Sequence, residues 1–202
     1  DKGFLVPVMR KIPWTEGIAK ATLGALVDTP ANREDIDGIG LMPVIPANTE
    51  INGMNIENGL CKVDFTSEFL NYSSQEEEEA LVKAVVYTLT EFVTIDSVQL
   101  MINGKSPQSL TYGTRVDKII TRDNINYAGE VSSDKDKVVV YFEGTANGLE
   151  SYFVPVTVPL DDVDGVVGVN LLDALDALVQ GPPEGSGLFS EIPKDTKIVS
   201  VD

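Results

Sequence analysis

The chain has no histidine and a single cysteine among its 202 residues, and only 15 lysines and arginines stand against 32 acids. Each shortage excludes something. Without histidine there is no Ser-His or Cys-His nucleophile pair and no imidazole-ligated metal site. One cysteine, Cys61, cannot close an intramolecular disulfide, so this is not a small cysteine-stapled scaffold. Lacking a base to activate it, Cys61 reads as a buried core residue. A net charge of −17 leaves too few cations to line a phosphate backbone, which excludes nucleic acid as a principal ligand and argues against an anionic membrane surface. No apolar run approaches the roughly 18 to 20 residues that span a bilayer. What is present is 43% apolar content, enough for one large or two small packed domains.

The search for chemistry among what remains finds little. The glycine-rich "GPPEGSGLF" has no Lys-Ser or Lys-Thr ending and follows a helical stretch instead of opening one, so it reads as a structural loop, not a phosphate cradle. Asp161, Asp162 and Asp164 lack the spaced glycine and closing glutamate of a calcium loop and read as solvated. A carboxylate hydrolase would need two acids facing one cleft about 5 to 10 Å apart. Trp14, beside Pro13, reads as a packing residue and not a ligand platform. The expected catalytic, cofactor-binding and metal-ligating sets are therefore all empty, and no cofactor is expected.

The chain repeats itself. "FLVPVMRKIP" from Phe4 aligns with "YFVPVTVPL" from Tyr152, placing Pro7 opposite Pro155. "ATLGALVDTP" aligns with "LLDALDALVQGPP", then Ile45-Pro46 with Ile192-Pro193 and Thr49 with Thr196, in order and with a spacing that drifts by one residue. Such order over several short matches is the mark of a duplicated module. The first copy is expected over 1–131 with its connector and the second over 132–202, with the seam near Ser132 in the polar stretch "GEVSSDKDK". Copy two has "KVVVYFEG" ahead of its YFVPV segment and copy one has no counterpart, so a first strand is expected to be missing from copy one. Copy two in turn stops before any counterpart of "GLCKVDFTSEFL", and the chain reads as a partial or processed product.

Ser73–Phe92 carries the clearest periodicity. Leu81, Ala84, Val85, Thr88, Leu89 and Phe92 form one apolar stripe on a helix, and Ser73 or Ser74 with Glu76 or Glu77 supplies a capping-box start. The run Glu76–Glu79 reads as a solvated first turn favoured by the helix dipole. "GLCKVDF" alternates as a half-buried strand, and "SVQLMING" and "VVVYFEG" are rich in strand-forming residues and close on glycine. Further helices are expected over Glu16–Asp28 and about Gly165–Gln180, each ending at a proline, Pro30 or Pro182. The result is an α+β architecture: two tandem sandwich-like modules, with helices on a mostly antiparallel sheet.

"GFLVPV", "ALVDTP" with "ALVQGPPEGSGLFSEIPKDTKI", "GLCKVDFTSEFL" and "EEEEALVKAVVYTLTEFVTIDSVQLMINGK" together resemble the signatures of GerMN domains, which occur in tandem in GerM-like sporulation and germination proteins. The resemblance covers nearly all of copy one and the first half of copy two. It implies a fold similar to ring-building motifs, with the two modules sharing a sheet. It implies, further, a non-enzymatic envelope lipoprotein of a spore-forming bacterium, anchored by lipid and extracytoplasmic. Its partners would be proteins of the complex joining mother cell and forespore. The alternative is a peptidoglycan-binding or wall-remodelling accessory. No family catalytic residues exist to transfer.

Overall fold

The computed structural model describes residues 3–127, 136–160 and 171–200. The chain forms two compact units, one of Met9–Asp123 and one that joins Asp1–Val8 to Asn124–Asp202. The expected seam at Ser132, the aspartates 161, 162 and 164, and the start of the helix expected from Gly165 all lie outside the described residues.

In the Met9–Asp123 unit, three strands β1 (Ile51–Glu57), β2 (Leu60–Phe65) and β3 (Ser97–Ile102) form a sheet in that spatial order. β1 and β2 are antiparallel, joined by Asn58-Gly59 with both residues left-handed (φ 51° and 80°), the signature of a two-residue hairpin turn. Asp96 and Ser97 donate their backbone N–H groups to Gly59 O, which ties that turn to the start of β3. β2 and β3 run parallel, as a connection through a helix permits. The alternation read in "GLCKVDF" holds: Cys61, Val63 and Phe65 are buried, and Lys62 faces water.

The connecting helix, α3 (Gln75–Leu89), is the one expected from the periodicity of 73–92. Its cap is resolved: Ser74 Oγ accepts from Glu77 N, and Glu77 Oε2 reaches back to Ser73 N and Oγ. Leu81, Val85 and Leu89 enter the core beside Val98 and Leu100, with Leu23 from α1 (Ile18–Gly24). The expected helix over Glu16–Asp28 is shorter than that, and Pro30 does not mark its stop. Pro30 instead opens α2 (Pro30–Asp37), where Thr29 caps Asn32 N and the proline takes a first-turn position that needs no N–H.

In the second unit, β4 (Lys137–Gly144) and β5 (Tyr152–Pro159) pair antiparallel. Val140, Phe142, Val154 and Val156 form its core, with Ala177 of α4 (Leu171–Gln180) and the flanking Phe4, Val6 and Leu188. α4 ends at a left-handed Gly181 (φ 88°) followed by Pro182, the expected stop. Asn126, itself left-handed (φ 47°), joins two segments of this unit: its Oδ1 accepts from Leu5 N at 2.9 Å, and its Nδ2 donates to Leu5 O and Pro155 O at 2.7 and 2.8 Å. Alanine there would orphan these groups in a backbone conformation that alanine disfavours. Asn126→Ala is expected to lower stability by about 2 kcal/mol, read as a shift in the urea midpoint.

Candidate functional site

The acidic first turn of α3 contains a buried polar centre. Glu76, Glu77 and Glu79 are exposed as expected, whereas Glu78 is fully buried. The expectation of a uniformly solvated turn is corrected at this residue. Its Oε2 accepts from Tyr72 Oη at 2.6 Å and Tyr112 N at 2.7 Å, and its Oε1 from Thr114 N at 2.8 Å. Thr114 Oγ1 is buried without a hydrogen-bond partner among the described residues. Burial pushes the Glu78 carboxyl up, but Tyr112 N–H, the Tyr72 hydroxyl and Thr114 outweigh that and hold it below the usual value. Tyr72 is driven up to about 12, first by its own burial and then by the carboxylate it serves. Both oxygens are engaged by donors and the side chain is closed off from solvent, so this carboxylate fastens residues 111–114 over α3 and lies out of reach of a substrate proton. The signal was in the sequence: Glu78 stands one turn ahead of Leu81 and two ahead of Val85, on the buried stripe.

Cys61 is buried as expected, and burial alone lifts its thiol to about 11, so it stays protonated and inert. Trp14 departs from the reading: it is 87% exposed and packs into neither core. Two depressions open on the Met9–Asp123 unit. One, of about 440 Å³, is lined by Arg115 and residues 117–123 and contains three cations, of which Arg115 is paired with Asp117 at 2.8 Å and Arg122 with Glu91, which weakens the field an anion would meet. The other, of about 390 Å³, lies between Leu70, Ile102, Pro107 and Leu110 with Lys105 and Thr111 at its margin. Both are open to solvent, unlike the enclosed clefts that bury a small substrate.

The described surface exposes several large apolar side chains among its many acids. Val139, Tyr141 and Phe153 stand on the face of β4 and β5 opposite the core, between 45% and 63% exposed. β1 is an outer strand, with no further strand beyond it among the described residues. No group of three or more acids and cysteine is arranged for a metal among the described residues, and no helix there is long and apolar enough to cross a membrane.

Comparison with known proteins identifies the family. Residues 1–108 match the family Germane, described as sporulation and spore germination. The chain is 31% identical over 204 aligned residues to the spore germination protein GerM of Bacillus subtilis (strain 168), covering 98% of this chain and 54% of that protein. It therefore spans about half the length of that relative. Among solved structures, the tandem GerMN domains of the sporulation protein GerM from Bacillus subtilis superpose with a TM-score of 0.83 at 33% identity, over 100% of this chain and 71% of that one. The first GerMN domain of the same protein matches with a TM-score of 0.50 at 36% identity, over 55% of this chain and 83% of that one. The α+β architecture read from the sequence is the architecture of these structures.

Proposed function

Because the chain belongs to the Germane family of sporulation and spore germination proteins, we propose that it acts in sporulation as a non-enzymatic scaffold, a pair of GerMN modules that binds other proteins and supports assembly of a mother cell–forespore complex. The observation that carries this reading is the superposition of the whole chain on a tandem GerMN structure. It is supported by side chains that are locked where chemistry would need them free: the buried acid is engaged by three donors and the one thiol is held protonated. The names of the relatives describe sporulation and germination and no reaction. In this reading the full-length protein is extracytoplasmic and lipid-anchored in the cell envelope, the division into two modules follows the internal repeat, and its partners are proteins.

Affinity capture of the tagged full-length protein from envelopes of sporulating cells tests it, beside a deletion strain. Recovery of sporulation-complex proteins and a loss of spore yield or germination are expected. Unimpaired sporulation and germination in the deletion strain would overturn the reading. Recovery of wall fragments or wall enzymes alone, with retention on purified peptidoglycan, would replace it with the wall-accessory reading.

A further inference from the structure

The chain contains four Asn-Gly pairs, at 52–53, 58–59, 103–104 and 147–148. An asparagine followed by glycine can lose its side-chain amide when the glycine nitrogen attacks Cγ, because no Cβ shields that nitrogen. The backbone decides whether the nitrogen can reach. Asn58 and Asn103 are left-handed (φ 51° and 48°), a region where ψ is about +47° and the following nitrogen turns away from Cβ and hence from Cγ. Asn52 is the unpaired residue of the bulge between Ile51 and Gly53 and lies inside β1, where Gly53 is paired with Asp64. Asn58 and Asn103 are thus protected by conformation, and Asn52 by its place in the strand.

Asn147 differs on every count. It lies in the exposed loop between β4 and β5, outside the left-handed region, and is followed by a left-handed Gly148 (φ 71°). Its Oδ1 accepts from Leu149 N at 2.9 Å and from Glu150 N at 3.3 Å. Gly148 N donates to Thr145 Oγ1 at 2.8 Å. The side-chain carbonyl thus already has two backbone donors on the oxygen that becomes negative when Cγ is attacked, the arrangement that stabilises a tetrahedral oxyanion. The attacking nitrogen has a hydroxyl in place to receive its proton.

We infer that Asn147 is a built deamidation site, at which the loop's own backbone and Thr145 assist attack of Gly148 N on Asn147 Cγ. The bond from Gly148 N to Cγ forms as the amide proton passes through Thr145 Oγ1 to water. The Cγ–Nδ2 bond then breaks, and Nδ2 takes a proton from water and leaves as ammonia. Water opens the resulting five-membered imide at either carbonyl, giving aspartate or isoaspartate. The net change is amide plus water to carboxylate and ammonium, with no change of oxidation state. The product adds one negative charge to a loop that already carries Glu150 and, in the isoaspartate form, an extra backbone carbon between β4 and β5.

The test is incubation of the intact chain at mildly alkaline pH, followed by peptide mapping for the one-dalton gain and the isoaspartate doublet. Asn147 is expected to convert first among the four sites. Thr145→Val is expected to slow that conversion about tenfold, and Gly148→Ala at least as much. In urea the four sites are expected to converge, since the selectivity comes from the fold. Earlier conversion of Asn52, Asn58 or Asn103, an unchanged rate in Thr145→Val, or an undiminished lead of Asn147 in urea would each overturn the inference. The loop is exposed and outside both cores, so these variants fold.

Discussion

Replacing Glu78 by alanine is expected to destabilise the protein by about 3 kcal/mol, far more than the few tenths typical of a helix-surface acid. The carboxylate is fully buried and answers three donors, so its removal leaves Tyr72 Oη, Tyr112 N and Thr114 N to be rehydrated or stranded. Glutamine does not rescue it. With one oxygen instead of two, either Tyr112 N–H or Thr114 N–H must face an NH₂ group, and neither backbone donor can reverse; about 2 kcal/mol is expected. Tyr72→Phe, which leaves both backbone donors satisfied, is expected to cost about 1 kcal/mol. Chemical unfolding followed by circular dichroism would order the three variants. An alanine variant as stable as wild type would mean that residues 111–114 are not fastened through this acid.

The same group sets a direction with pH. The folded carboxyl is held below its ordinary value. A carboxyl lowered by folding contributes stability that is complete above the unfolded pKa and is lost as pH falls through the folded one. Wild type should therefore lose this contribution on acidification below about pH 4, while Glu78→Gln, which has nothing to protonate, should show a shallower acid limb.

Why Glu78 went unread is instructive about what one chain discloses. Four consecutive glutamates at a helix start look alike by composition, and only the stripe through Leu81 and Val85 separates the third from its neighbours. The same stripe made α3 itself legible, and the alternation in "GLCKVDF" made β2 so, because in both a repeating period coincides with burial. Elements without such a period were lost. β1, "INGMNIE", contains two asparagines, a glycine and a glutamate, and is a strand because the Asn58-Gly59 turn folds it back on β2. The polar stretch after Lys105 reads as a connector, yet Leu110 and Val116 are buried in the first core and Ile120 packs against it, each as a single side chain with no period to announce it. Pro30 was read as a stop because proline cannot sit inside a helix, although the same physics permits it to begin one. Trp14 fails for a different reason: its size argues for a partner, but nothing local supplies one. Exposed strand residues such as Val139, Tyr141 and Phe153 cannot be told apart by spacing either, since in sequence they look like half of any buried strand.

The largest single loss is expected from Phe65→Ala, about 4 kcal/mol. Phe65 closes β2, pairs with Ile51 of β1 and Ile102 of β3, and stacks on Phe69 with ring centroids 4.2 Å apart and planes 16° from parallel. Both rings are wholly buried. Truncation removes the transfer energy of the ring and leaves a cavity that must either stay empty or collapse. Collapse is obstructed on three sides: by Ile51, by Ile102, and by the short 3₁₀ turn Ser67–Leu70 that presents Phe69. Phe65 O also accepts from Asn103 N at 2.9 Å, so a shift of this strand end would disturb the turn that follows β3. Phe65→Leu keeps most of the volume and should cost about 1.5 kcal/mol. The two variants together separate loss of ring contact from loss of volume: equal effects would show that the stack, not the filling, is what matters. Under the proposed scaffold role this stiffness has a functional side. A protein that works through its surface must hold strand edges and loop positions fixed without bound substrate to order them, and here Phe65 and Phe69 fix one end of the sheet while Glu78 fixes residues 111–114 over α3.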